Sequence, residues 1–176
     1  MFPARFDTAR MVLRPIEPRD AAPIFNSYAQ DHEVTRFLTW RPHRNLGETD
    51  AYVAHCLSTP PEVARTYLLV GRPDGAVRGA LDLRRAGAVR LEFGYVLARA
   101  CWGQGLMTEA LGEVAAWALA QPSVFRIGAV CDVENIGSAR VMEKAGLQRE
   151  GVLRRWLVHP ALGDEPRDCF SYARVR

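Results

Sequence analysis

Between Arg90 and Leu97 the chain alternates, with Leu91, Phe93, Tyr95 and Leu97 on one side and Glu92, Gly94 and Val96 on the other. That period of two predicts a strand. From Gly105 the period changes: Met107, Ala110, Leu111, Val114, Trp117 and Ala118 recur at helical spacing, while Glu109, Glu113 and Gln121 fall elsewhere, which predicts an amphipathic helix. Upstream, "TARMVLRPIEP" predicts a first strand over Arg10 to Ile16, stopped by Pro18, and "PRDAAPIFNSYAQ" a short helix with Asp20 in its first turn. "DHEVTRFLTWRPHRN" has no clear period, and "LGETDAYVAHCLS" reads as a second helix ended by Pro60 and Pro61. "RTYLLVGRPDGAVRGALDLRR" is a hairpin around Pro-Asp-Gly.

Downstream, "VFRIGAVCD" reads as a buried strand and "NIGSARVMEKAG" as a helix closed by Gly146, and two more strands flank "HPALGDEP". No repeat, linker or low-complexity segment interrupts this order. It predicts one mixed α/β domain across residues 1–176, with a mostly antiparallel sheet flanked by helices. A chain of 176 residues has room for one well-filled core.

Between the alternating strand and the long helix stands "CWGQGLMTEAL", with Gly103 and Gly105 one residue apart. A glycine loop there lets an anion approach unpaired backbone N–H groups at the positive end of a helix dipole. A plain strand-to-helix turn needing glycine is the competing reading. A P-loop is excluded, because no Gly-Lys-Ser/Thr follows. A dinucleotide fingerprint is weakened: Thr108 stands where a third small residue belongs, and antiparallel strands precede the loop, although Asp132 does close the next strand. Coenzyme A is the phosphate ligand that remains.

Composition narrows the partners. Hydrophobic residues make up 48% and charged residues 24%, as in an ordinary soluble domain. The net charge is +3, carried almost wholly by arginine, since Lys144 is the single lysine. Without concentrated basic runs, nucleic acid is not expected as a ligand. Cys56, Cys101, Cys131 and Cys169 are widely spaced and show no metal-ligand interval, so free thiols in a cytoplasmic protein and no metal are expected. No apolar run approaches the ~18 residues of a membrane span, so no membrane partner is expected.

The same blocks resemble the GNAT superfamily of N-acetyltransferases, in particular its ribosomal-protein-alanine (RimJ/RimL-like) branch. "TARMVLRP…RDA", "EFGYVLARACWGQGLMTEAL", "DVENIGSARVMEKAGLQREGVLR" and "RDCFSY" are similar to successive segments of that branch, in the right order over nearly the whole chain. The superfamily loop has the form Arg/Gln-x-x-Gly-x-Gly/Ala; here Trp102 stands first, Gly105 keeps the central glycine and Met107 replaces the last small residue. The resemblance implies acetyl-CoA as cofactor, at a splayed pair of central strands. It implies that the amides of Gly103, Gln104, Gly105, Met107 and Thr108 hold the pyrophosphate. The main chain of Tyr95, Val96 and Leu97 would pair with the pantetheine arm, with Asn135 and Ser138 nearby.

Acetyl transfer from a thioester to an amine needs a neutral amine, a polarised carbonyl and a proton for the departing sulfur. The tyrosine that many superfamily members use as the acid is replaced by Met142. Ser138 shares a helix face with Val141, Met142 and Ala145, and so points inward, where its hydroxyl is a candidate acid. If Asn135, itself a catalytic candidate, is only the N-cap, Ser138 occupies N3 and can equally serve only to satisfy helix amides. Glu92, on the strand leading to the site, is the candidate base, or else a solvated carboxylate. A peptide α-amine has a pKa near ~8 against ~10.4 for lysine, so it costs about 3 kcal/mol less to bring neutral and needs little help from a base.

Cys101 reads as a small filler residue, while His43 and Trp40 fall in the irregular stretch that would shape an acceptor pocket. The expected activity is transfer of an acetyl group to a primary amine, with a protein N-terminal α-amine as favoured acceptor. A small-molecule amine and a non-catalytic acyl-CoA-binding module are the alternatives. A monomer or homodimer is expected.

Overall fold

The computed structural model describes residues 2–176. Eight strands form one open mixed sheet in the order β1-β2-β3-β4-β5-β6-β8-β7. They are β1 (Phe6–Asp7), β2 (Met11–Pro15), β3 (Ala64–Gly71), β4 (Val77–Arg85), β5 (Arg90–Leu97), β6 (Arg126–Asp132), β7 (Gln148–Val158) and β8 (Pro166–Val175). The helices are α1 (Ala21–Ile24), α2 (His32–Thr35), α3 (Leu46–Ser58), α4 (Leu106–Ala120) and α5 (Ile136–Lys144). No helix among the described residues is long and apolar enough to cross a membrane.

All sheet neighbours run antiparallel except β5 and β6. That parallel pair holds register only over Arg90↔Arg126, Leu91↔Ile127 and Glu92↔Gly128. Beyond it the strands part, while β5 stays paired to β4 as far as Leu97 and β6 stays paired to β8 as far as Asp132. Each strand therefore keeps one satisfied edge and leaves its facing edge open. The splayed central pair implied by the resemblance is present.

The alternation read in β5 holds in burial as far as Phe93, with Leu91 and Phe93 in the core; beyond it Val96, read on the other side, is buried, while Tyr95 and Leu97 are half-buried. The helical stripe holds as well: Met107, Ala110, Leu111, Val114 and Ala118 are buried. The Pro-Asp-Gly hairpin is the β3–β4 turn. Helix α5 ends in a Schellman arrangement, with the Gly146 N–H donating to the Glu143 carbonyl and the Leu147 N–H to that of Met142, and Gly146 at φ 85°.

Three local features differ from the sequence reading. The first helix is composite: a 3₁₀ turn (Pro18–Asp20), α1 and a π turn (Phe25–Ala29). Within the aperiodic stretch, α2 forms because Asp31 caps it, its carboxylate accepting from the N–H groups of Glu33 and Val34. The face of α5 is also narrower than its spacing indicated. Ala139, Met142 and Ala145 form the buried stripe, and Ser138 and Val141 lie half-buried on its flank, where they line a cleft.

Candidate active site

The parting of β5 and β6 opens a cleft of about 620 Å³. Its walls are Phe93–Leu97 of β5 and Ala129–Cys131 of β6, with Asn135–Ser138 and Val141 from α5. Trp102, Gly103, Met107, Phe37, Leu38 and His159 line it as well.

The glycine loop is built to present backbone donors. Gly103 and Gly105 both sit at φ 74°, in the left-handed region that other residues enter at a cost. Among the described residues, the amides of Gly103, Gln104, Gly105, Met107 and Thr108 have no hydrogen-bond acceptor. Three side chains hold the loop in shape. The Trp102 indole N–H donates to the Leu97 carbonyl at 2.8 Å, and the Gln104 side chain donates to that of Ala100 at 2.7 Å. From β2, Arg10 donates to the Gln104 carbonyl at 2.8 Å and to Glu109 at 2.6 Å. Met107 is buried, so its side chain belongs to the core and only its amide is left for the loop.

Asn135 is the N-cap of α5: its Oδ1 accepts the Ser138 N–H at 3.1 Å. That frees the Ser138 hydroxyl from capping. Ser138 Oγ instead lies 2.8 Å from the Tyr95 hydroxyl, which also donates to the Ser138 carbonyl at 3.2 Å. Burial pushes the Tyr95 phenol well above its ordinary value, more than the Ser138 contact lowers it. Cys131, across the cleft, is pushed up to about 11, chiefly by burial, and stays a thiol at neutral pH.

Glu92 is not among the residues that line the cleft. It stands opposite Arg84 in the β4–β5 register and pairs with it at 3.5 Å, and Arg84 in turn does line the cleft. Cys101 is buried and outside the cleft, as expected of a filler. His43 hydrogen-bonds Thr49 at 2.9 Å and packs on Trp40, and burial lowers its pKa.

Beside the cleft lies a buried ionic group. Asp132, fully buried, accepts from Arg167 Nε at 2.6 Å and from the Glu134 N–H at 2.8 Å. Burial pushes its carboxyl up, but these donors outweigh that and hold it below the usual carboxylate range. His159 Nε2 is 3.5 Å away, and the other ring nitrogen donates to the Leu38 carbonyl at 3.3 Å. Sequence reasoning missed the Tyr95 hydroxyl, Cys131 and His159 as cleft residues. Only Tyr95 carried a usable signal, its place in the alternating strand beside the loop.

Comparison with known proteins fits this geometry. Residues 10–148 match the acetyltransferase (GNAT) domain family, and the chain belongs to that family. It is 26% identical to the uncharacterized N-acetyltransferase YoaA of Bacillus subtilis over 190 residues, covering 100% of this chain and 98% of the relative. A GNAT acetyltransferase from Bacillus anthracis superposes with a TM-score of 0.85 at 23% identity, covering 97% of this chain and 98% of that one. RimL, a ribosomal L7/L12 alpha-N-protein acetyltransferase in complex with coenzyme A, superposes at 0.82 and 20% identity, covering 98% and 96%. The chain is thus an N-acetyltransferase, and acetyl-CoA is the donor its family uses.

Proposed function

We propose that this enzyme acetylates a protein N-terminal α-amine, as the ribosomal-protein branch implies, and that the Tyr95–Ser138 pair supplies the proton to the leaving sulfur. The observation that carries the reading is the 2.8 Å contact between these hydroxyls, beside the open edge of β5 and inside the cleft. Acetyl-CoA brings an activated acyl group. The open amides of Gly103, Gln104, Gly105, Met107 and Thr108 match its phosphates in kind and number, and the unpaired edge of Tyr95, Val96 and Leu97 suits an amide-bearing arm.

Ser138 Oγ gives its proton to the sulfur. Tyr95, kept protonated by its burial, turns its one O–H from the Ser138 carbonyl to Oγ as the serine proton leaves, and steadies it until that proton is replaced from the reacting amine. The net result moves one proton from nitrogen to sulfur. Asn135 acts through the cap that sets the orientation of Ser138. Glu92 acts on Arg84 rather than on the amine, because its partner lines the cleft and it does not. An α-amine reaches its neutral form at a cost of about 1–2 kcal/mol at pH 7, which water can meet.

The test is thiol release from acetyl-CoA over a panel of N-terminal peptides, lysine side-chain analogues, polyamines and amino-acid derivatives. Acceptor-stimulated release with α-amine peptides is expected. A marked preference for polyamines would assign the enzyme to small-molecule chemistry instead.

A further inference from the structure

Two cavities meet along a shared lining that includes Leu38 and Thr39 as well as β5. Besides the cleft there is a second cavity of about 520 Å³ between α3 and the sheet. The two share the stretch Gly94–Val96 and the side chain of Arg84. Asp82 lies in the floor of the second cavity, directly opposite Gly94 in the β4–β5 register. Asp82 lines the second cavity and not the cleft, and Gly94 beside it, which has no side chain, lines both. A Cβ built there would meet only an Arg84 nitrogen, at 3.7 Å.

Both charged groups have bonding capacity to spare. A carboxylate accepts at about four lone-pair sites. Asp82 receives one bond from Arg84 at 3.0 Å and a long one from Thr66 at 3.4 Å. A guanidinium carries about five N–H donors; Arg84 turns one to Asp82 and one, at 3.5 Å, to Glu92. The side chains of Arg84 and Asp82 are 43% and 37% exposed, so an incoming molecule can reach them.

An ammonium beside a carbonyl oxygen would find an acceptor and a donor side by side here. That is the head of an α-aminoacyl group. A polyamine matches Asp82 but presents Arg84 with a second cation and no acceptor. Next to the pair, the rings of Trp40 and Tyr52 stack at 6.4 Å and 30° and wall the same cavity. The His43 ring backs Trp40 at 5.0 Å, which fixes the wall before anything binds.

We propose that this second cavity is the acceptor site, in which Asp82 receives the arriving α-ammonium, which loses one proton to water before it attacks, and Arg84 receives the first carbonyl of an aminoacyl acceptor, while Trp40 and Tyr52 select a large apolar or aromatic first side chain. The proposal deepens the acetyl-transfer reading and rests on it.

The experiment compares Phe-Gly amide, Ala-Gly amide, phenethylamine and spermidine as acceptors, with acetyl-CoA binding measured separately by calorimetry. The Phe peptide is expected to exceed the Ala peptide in kcat/KM by about tenfold or more, and phenethylamine, which lacks the carbonyl, to fall below the Phe peptide. Trp40→Ala should bring the Phe/Ala ratio toward one. Asp82→Asn should lower kcat/KM for the Phe peptide about 10²-fold, with acetyl-CoA affinity and the thermal midpoint held. Preference for the Ala peptide or spermidine, a ratio unmoved in Trp40→Ala, or an unchanged acceptor KM in Asp82→Asn would each overturn the assignment. So would tight acetyl-CoA binding with no turnover of any of the four, and that result would leave the donor site intact. Failure of the wild type to bind acetyl-CoA would instead overturn the donor reading on which the proposal rests.

Discussion

The Tyr95 hydroxyl and Ser138 Oγ lie 2.8 Å apart, joining β5 to the first turn of α5 across the gap where β5 and β6 separate. Neither residue is near the other in sequence. Met142, which stands where many superfamily members carry a tyrosine acid, is fully buried, and the Tyr95–Ser138 pair is what we propose takes that place in the chemistry.

Ser138→Ala is expected to lower kcat about 10²-fold with little change in acetyl-CoA affinity, because the hydroxyl acts chiefly in the transition state. Tyr95→Phe should cost less, about tenfold, and the double variant should be no slower than Ser138→Ala alone if Tyr95 works only through Ser138. Steady-state kinetics of the three proteins check this. A normal kcat in correctly folded Ser138→Ala would leave water as the proton source.

Asn135→Ala separates capping from chemistry. It removes the acceptor of the Ser138 N–H and should destabilise the protein by about 1 kcal/mol, seen as a lower midpoint in urea. Ser138→Ala removes no cap bond, so its stability loss should be the smaller of the two.

Coenzyme A should bind more tightly than NAD or ATP in calorimetry. Gly105→Glu should abolish that binding, since it places a carboxylate among the open amides and forces a non-glycine residue to φ 74°. Gly105→Ala, which adds the strain without the charge, should cost about 1 kcal/mol of stability and weaken binding less. Affinity that survives Gly105→Glu would place the phosphates elsewhere.

Asp132 is expected to make stability depend on pH. Its folded pKa is depressed, so its contribution is fully present above the unfolded value of about 3.9 and is lost as pH falls from there through the folded value. Asp132→Asn removes the buried charge facing Arg167, which is 30% exposed and keeps Glu134 at 3.0 Å, and should cost about 1–2 kcal/mol at pH 7. The gap between wild type and variant should narrow below about pH 4. Urea unfolding at several pH values from 2.5 to 7 measures both; a gap independent of pH would show that Asp132 contributes by packing alone.

Periodicity alone was enough for β5, α4 and the order of elements along the chain, because alternation and helical spacing are printed in adjacent residues. Gly103, Gly105 and Met107 were legible for the same reason: a left-handed turn and a core-facing methionine are local requirements. The π turn after α1 and the short α2 were not, since four or five residues carry too little pattern and only the Asp31 cap marks one of them. Ser138 shows the boundary. Its side of the helix could be read from spacing, but spacing could not tell a buried stripe from its flank, nor a capping hydroxyl from one aimed at Tyr95.

What the sequence by itself determined was the fold class and the glycine loop between β5 and α4, which rest on short runs of residues whose spacing has local physical meaning, and the acetyltransferase family, which rests on resemblance. The tertiary structure decided where β5 and β6 part, which brings Tyr95 to Ser138, and it set Arg84 between Glu92 and Asp82, opposite Gly94 and beside the Trp40–Tyr52 wall. Those contacts depend on strand register and on helices packed against opposite faces of one sheet. No window of the sequence contains them, because register is the outcome of the whole core closing at once.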